Sequence, residues 1–148
     1  FELVPYKEAI ANHAKMIMIG HIAFPNITND TTPASLSKTI ITDILKNKLG
    51  YKGLVITDAL NMKALTNNYS EEEIYTMAIH AGVDLLLMPN NPEKAIQVIK
   101  ENISEERINE SVKKILTFKF SYLENTEILD NTYLNQSSYQ DILNKIEQ

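Results

Sequence analysis

Asp58 closes the stretch Gly-Leu-Val-Ile-Thr-Asp-Ala-Leu, residues 53–60, after an apolar run in which Val55 and Ile56 are β-branched. A carboxylate at the tip of a buried strand is costly unless it meets water, a partner or a substrate. On residue type and place alone, the commoner role of such an acid is a helix N-cap or a loop ion pair. The sharper alternative is a group that does chemistry at the mouth of a sheet. His21 stands in the same relation to the apolar run Lys-Met-Ile-Met-Ile-Gly, residues 15–20. Met62 lies one helical turn past Asp58 if a helix starts at once, and packing is the ordinary fate of Met. His13 and His80 fall in helical patterns and read as structural or solvated. No cluster of carboxylates has metal-ligand spacing around them, so no metal and no cofactor is expected.

The elements that must position Asp58 and His21 follow from periodicity. Pro5 suits the first turn of a helix running to about Asn12. A short strand over 15–20 leads into His-Ile-Ala-Phe-Pro-Asn-Ile-Thr-Asn-Asp-Thr-Thr-Pro-Ala-Ser, residues 21–35, a loop by its Pro, Asn, Asp and Thr content. It is long for a plain connector, and such loops are often functional. Ser35 or Ser37 could cap the next helix, whose Ile40, Ile41, Ile44, Leu45 and Leu49 recur at helical spacing up to a stop at Gly50. A strand over 53–57 follows, then a short helix that breaks at Asn67-Asn68. Ser70 with Glu73 forms a capping box for the next helix. Asp-Leu-Leu-Leu-Met-Pro, residues 84–89, is a third strand, and Asn91-Pro92 opens another helix. A long amphipathic helix starts at Ser104.

Strands thus alternate with helices three times, which implies an α/β protein with a parallel sheet covered on both faces. Right-handed crossovers put the C-terminal ends of all three strands on one rim. His21, Asp58 and Met88-Pro89-Asn90 would share that rim, where parallel α/β sheets and barrels bind ligands.

The bulk numbers narrow the function. The chain has 148 residues, 44% hydrophobic and 22% charged, with a net charge of −5 and no Cys. That suits one globular domain. No basic cluster fits a nucleic-acid partner. There is no disulfide framework or thiol chemistry, and no apolar run reaches the roughly 20 residues of a membrane span. The first residues lack a signal-peptide pattern and begin mid-pattern, so the chain reads as a piece of something longer. Its compartment, cytoplasmic or periplasmic, stays open.

Gly-Tyr-Lys-Gly-Leu-Val-Ile-Thr-Asp-Ala-Leu-Asn-Met-Lys-Ala-Leu, residues 50–65, resembles the strand-seven segment of the glycoside hydrolase family 3 catalytic barrel, in its β-N-acetylglucosaminidase branch. Residues 17–27 resemble that branch's strand-six segment, 33–53 its intervening helix, 78–89 strand eight and 103–119 the last helix. The segments match in order and spacing over roughly residues 1–123. The resemblance implies the last three βα units of a TIM-type (β/α)8 barrel, strands six to eight, in residues 1–123. Residues 124–148 would form a loosely held polar or helical connector.

The resemblance further implies that Asp58 is the nucleophile of a retaining β-glycosidase that removes terminal β-linked N-acetylglucosamine, as in peptidoglycan turnover. That role needs an ionised carboxylate in a polar surround. It also implies His21 as a wall of the sugar pocket and Met62 as a contact to the N-acetyl group or ring. The family's upstream sugar-binding motif and its acid/base loop have no counterpart in the sequence, so the chain alone is expected to be nearly inactive. Ala59 stands where close relatives often carry a second acid, which leaves a β-glucosidase-type member open. A non-catalytic half-barrel module is a further reading. Unpaired strand edges would favour self-association. A phosphate site after strands seven and eight is disfavoured, since the loops there lack Gly.

Overall fold

The computed structural model describes residues 2–123. The chain divides into two compact units, residues 1–118 and 119–148. The expected connector at 124–148 lies outside the described residues.

The sheet is built where the apolar runs demand it. Strand β1, Met16–Ile19, pairs parallel with β2, Leu54–Thr57, in the register Met16–Leu54 to Ile19–Thr57. Gly53 enters β2 so close to β1 that a Cβ there would lie 2.6 Å from the Lys15 carbonyl oxygen and against the Tyr51 hydroxyl. β2 is the central strand: Leu54, Val55 and Thr57 are buried. In β1, by contrast, Met16 and Met18 are exposed and Ile17 and Ile19 half-buried. The sheet is therefore covered on one face at β1, not on both as the apolar run suggests.

The expected third strand is reduced to one parallel bridge, Ile56 to Leu85. The segment still runs along β2, with Leu85 N–H bonded to Val55 O and Thr57 N–H to Leu85 O. Then the ladder changes hands. Leu87 N–H donates to the Thr57 side-chain Oγ1 at 3.0 Å, not to a main-chain carbonyl, and Met88 turns to φ 48°. The result is an α/β fold with a small parallel sheet.

Helices connect these strands and carry the core. Helix α1 spans Val4–Ala11 and begins with Pro5 in its first turn. His13 lies beyond it at φ 60°, not in a helix. The loop 21–35 folds on itself through a short helix α2, Pro25–Thr28, the bond from Ala34 N–H to Ile22 O, and a 3-10 turn at Ala34–Leu36. The helix Thr39–Lys48 is wound as a π-helix and buries Ile41 and Leu45. Ser37, not Ser35, caps it by accepting from Ile40 N–H.

Helix α3, Lys63–Thr66, is a single turn, with Leu65 buried. Helix α4, Glu71–Ala81, carries the expected capping box: Ser70 Oγ accepts from Glu73 N–H, and Glu73 accepts from Ser70 N–H. Its acidic first turn suits the positive helix end. Ile74, Tyr75, Ala78 and Ala81 form its buried face. Gly82, at φ 112°, ends it in a left-handed conformation that L side chains disfavour. Helix α5, Pro92–Asn102, is capped by Asn91, and α6 spans Glu105–Leu123.

The core joins Leu36, Ile41, Leu45, Val55, Leu60, Leu65, Ile74 and Val83. Each such side chain contributes roughly 1.5–3 kcal/mol on burial. A polar cluster pins the opposite end of β2. The buried Asp84 carboxylate accepts from Val55 N–H and Ser111 Oγ, with Arg107 and Lys114 beside it.

Candidate active site

The C-terminal ends of β1, β2 and the 84–88 segment meet on one rim, and the chain around Asp58 is tied by each of them. Asp58 N–H donates to Ile19 O at 2.9 Å, which extends the β1–β2 ladder by one residue. Leu60 N–H donates to Leu87 O at 2.9 Å. Between these bonds, His21 reaches across from the start of the 21–35 loop, and its Nε2 donates to the Ala59 carbonyl at 3.0 Å. The peptide between Ala59 and Leu60 is thus held at both its C=O and its N–H.

Asp58 itself is half-buried. Its Oδ1 accepts from the Ala59 N–H at 2.8 Å. Among the described residues Oδ2 takes no hydrogen bond. A carboxylate with one oxygen fixed by the main chain and the other uncommitted, on a clamped strand tip, can act as a nucleophile or accept a ligand hydroxyl. No cation pairs with Asp58 among the described residues, and no helix starts at it. Among the described residues Asp58 therefore fills neither of the commoner roles, N-cap or ion pair.

Both ring nitrogens of His21 are engaged by the protein, Nδ1 with Ser35 Oγ at 2.7 Å and Nε2 with Ala59. Ser35 is fully buried. The sequence offered Ser35 only as an alternative helix cap. What marks it is the neighbouring Ser37, which takes the cap and leaves Ser35 for the histidine. Met62 does not lie one helical turn past Asp58, because α3 starts only at Lys63. Met62 sits at its N-cap with extended backbone and is 42% exposed, so core packing is not its role. In the sequence Thr57, adjacent to Asp58, carries only a strand signal. Its buried hydroxyl carries the link to Leu87.

Residues 1–118 match the Glycosyl hydrolase family 3 N terminal domain. The chain is 29% identical over 132 residues to a β-N-acetylglucosaminidase/β-glucosidase of Cellulomonas fimi, covering 80% of this chain and 23% of that protein. It is 31% identical over 100 residues to a β-hexosaminidase of Nitrosospira multiformis, covering 68% of this chain and 28% of that one. Among solved structures, a glycoside hydrolase family 3 β-N-acetylglucosaminidase from a Paenibacillus strain superposes with a TM-score of 0.80 at 33% identity. That superposition covers 88% of this chain and 26% of the other. The chain therefore spans about a quarter of the length of these relatives.

Proposed function

The chain belongs to glycosyl hydrolase family 3, and from that premise we propose that Asp58 is the nucleophile of a retaining β-glycosidase acting on terminal β-linked N-acetylglucosamine. The observation that carries this reading is the Asp58 carboxylate on a strand tip whose flanking peptides are held from three segments, with Oδ2 uncommitted. Fixed geometry of this kind is what an attacking group needs, since small misplacement is costly in rate. Asp58 attacks the anomeric carbon, the glycosidic C–O bond breaks, and a glycosyl ester forms that water then hydrolyses with net retention. The sugar comes from a glycan such as peptidoglycan.

In this reading β1, β2 and the 84–88 segment are strands six to eight of a (β/α)8 barrel. Residues 1–123 supply the barrel portion and 124–148 a connector. His21 lines the pocket sterically, its nitrogens being spent on Ser35 and Ala59, and the exposed Met62 is the candidate contact to the N-acetyl group. The chain alone supplies no counterpart of the family's acid/base loop. General acid help is typically worth ~10²–10⁴ in rate, so turnover of unactivated glycosides by the chain alone is near background. The edge of β1 that pairs with no strand among the described residues makes self-association of the chain alone the expected state.

A β-glucosidase-type specificity is the second reading, favoured by the double name of the Cellulomonas fimi relative. One experiment separates them. The chain is incubated with 5-fluoro-N-acetylglucosaminyl fluoride and, in parallel, with 2-fluoroglucosyl fluoride, and intact mass and peptide mapping follow. Fluoride is the leaving group, so no acid is required. An adduct on the Asp58 peptide, lost in Asp58→Ala, is expected with the first reagent. Preference for the second reagent shifts the assignment to β-glucosidase. An adduct that persists in Asp58→Ala, or no adduct with either reagent, overturns the nucleophile reading for this chain.

A further inference from the structure

We infer that Ser35 is a positioning residue for the Asp58 carboxylate, acting through His21 and the main chain of Ala59; the inference rests on Asp58 being the nucleophile. The Ala59 carbonyl can only accept, so the His21 nitrogen bonded to it, Nε2, must carry the proton. In the neutral ring Nδ1 is then an acceptor, and the Ser35 hydroxyl, 2.7 Å away, must be its donor. Ser35 is fully buried, and Nδ1 is the only hydrogen-bond partner of its hydroxyl among the described residues. The Ala59 carbonyl fixes the tautomer, and the Ser35 hydroxyl fixes the other end of the ring.

The chain of consequence runs straight to the carboxylate. Ala59 N–H holds Asp58 Oδ1 at 2.8 Å, while Ala59 C=O is held by His21. One residue therefore carries the constraint from the imidazole to the acid. Without the Ser35 hydroxyl the ring is held at Nε2 alone and can swing about that bond. The grip on the Ala59 carbonyl loosens, and the Ala59–Leu60 peptide, next to the one whose N–H anchors Asp58, is less firmly held on that side. Leu87 still holds the neighbouring N–H, so the effect falls on orientation more than on folding.

The test compares wild type with Ser35→Ala, Ser35→Thr and Ser35→Val. The first readout is the His21 ring ¹⁵N spectrum in the alkaline range, where imidazole is ordinarily neutral. The second is the rate of labelling by the fluorosugar, with Asp58→Ala as control. Wild type and Ser35→Thr show the Nε2–H tautomer with Nδ1 shifted as a hydrogen-bonded acceptor. Ser35→Ala keeps that tautomer, moves the Nδ1 signal to that of an unbonded nitrogen, and labels roughly tenfold more slowly, the fold-change that losing one buried hydrogen bond corresponds to.

Unchanged ring signals in Ser35→Ala overturn the inference, and so does an unchanged labelling rate while Asp58→Ala abolishes labelling. If Ser35→Ala does not fold, the equal-sized Thr and Val variants carry the comparison: identical ring signals in both overturn the inference. If labelling is indifferent to Asp58 or absent in wild type, the nucleophile reading fails, and the ring spectra alone decide whether Ser35 holds the ring.

Discussion

Replacing Asp84 by Ala removes the anchor at the opposite end of β2 from the site. The Asp84 side chain is 0% exposed. Its Oδ2 accepts from Val55 N–H at 3.1 Å, and its Oδ1 accepts from Ser111 Oγ at 2.7 Å. Arg107 Nη2 and Lys114 Nζ each stand 3.7 Å from Oδ1. Without the carboxylate, Val55 N–H is left buried and unpaired, at about 1–3 kcal/mol. Arg107 and Lys114 lose their buried partner, and removing one member of such a pair typically costs about 3–5 kcal/mol. Two features lower that figure. Both cations keep Glu110, and a cavity of about 140 Å³ lined by Asp84, Arg107 and Ser111 can admit water to the orphaned groups.

The net expectation is about 3–4 kcal/mol, a large share of the roughly 5–15 kcal/mol that holds a domain folded. With a urea slope of about 2 kcal/mol/M, the midpoint falls by roughly 1.5–2 M. Asp84→Asn keeps an acceptor oxygen for Val55 and loses the charge, so its midpoint lies between those of wild type and Ala. A fall of less than about 0.5 M in Asp84→Ala, or an Asn variant weaker than the Ala variant, refutes this account of the cluster.

Two further outcomes follow from the same region. Lys46, whose Nζ donates to the Gly82 carbonyl, is pushed down to about 8 chiefly by burial, Asp84 opposing and Lys114 and Arg107 adding to the fall. Between about pH 8 and 10.5 the unfolded chain therefore binds more protons than the folded one, and stability rises with pH. Tyr51, pushed up to about 12 by burial and then by Asp84, keeps its proton in the fold above pH 10, where the unfolded chain loses it, so stability falls there. The urea midpoint should pass through a maximum near pH 10, and its rise should vanish in Lys46→Met; a wild-type midpoint that is flat or falling from pH 8 to 10 contradicts the burial of Lys46. Gly53→Ala drives a Cβ to 2.6 Å from the Lys15 carbonyl oxygen. It should cost about 1–3 kcal/mol as β1 and β2 are forced apart, and an unchanged urea midpoint would count against that register.

Local signals carried much of this structure in the sequence. The Ser70–Glu73 box, the Asn91-Pro92 start and the apolar runs that became β1 and β2 each depend on neighbours a few residues away, and each stands where the pattern put it. Asp58 was legible for the same reason, as an acid at the end of such a run. Features decided by distant partners were not. The strand at 84–89 shrank to one bridge because the Thr57 hydroxyl, 30 residues away, takes the Leu87 N–H. Asp84 looked like a strand start, and its burial depends on Ser111, 27 residues on. Ser35 and Ser37 were interchangeable as caps until His21 claimed one of them. His13 left the helix because its backbone turned to φ 60°, which helical periodicity does not register.

Apart from the Ala59 N–H bond to the carboxylate, the clamp around Asp58 is non-local. His21 and Ala59 are 38 residues apart in the chain, and Thr57 and Leu87 are 30 apart. Closing loops of that length costs entropy that nearby contacts do not repay. A partly folded chain can form its caps and helices while the carboxylate stays unoriented, because long-range closures complete late. Helical content, as read by circular dichroism, is then no measure of site integrity. The chain can look folded by that signal before the Asp58 carboxylate is held in place.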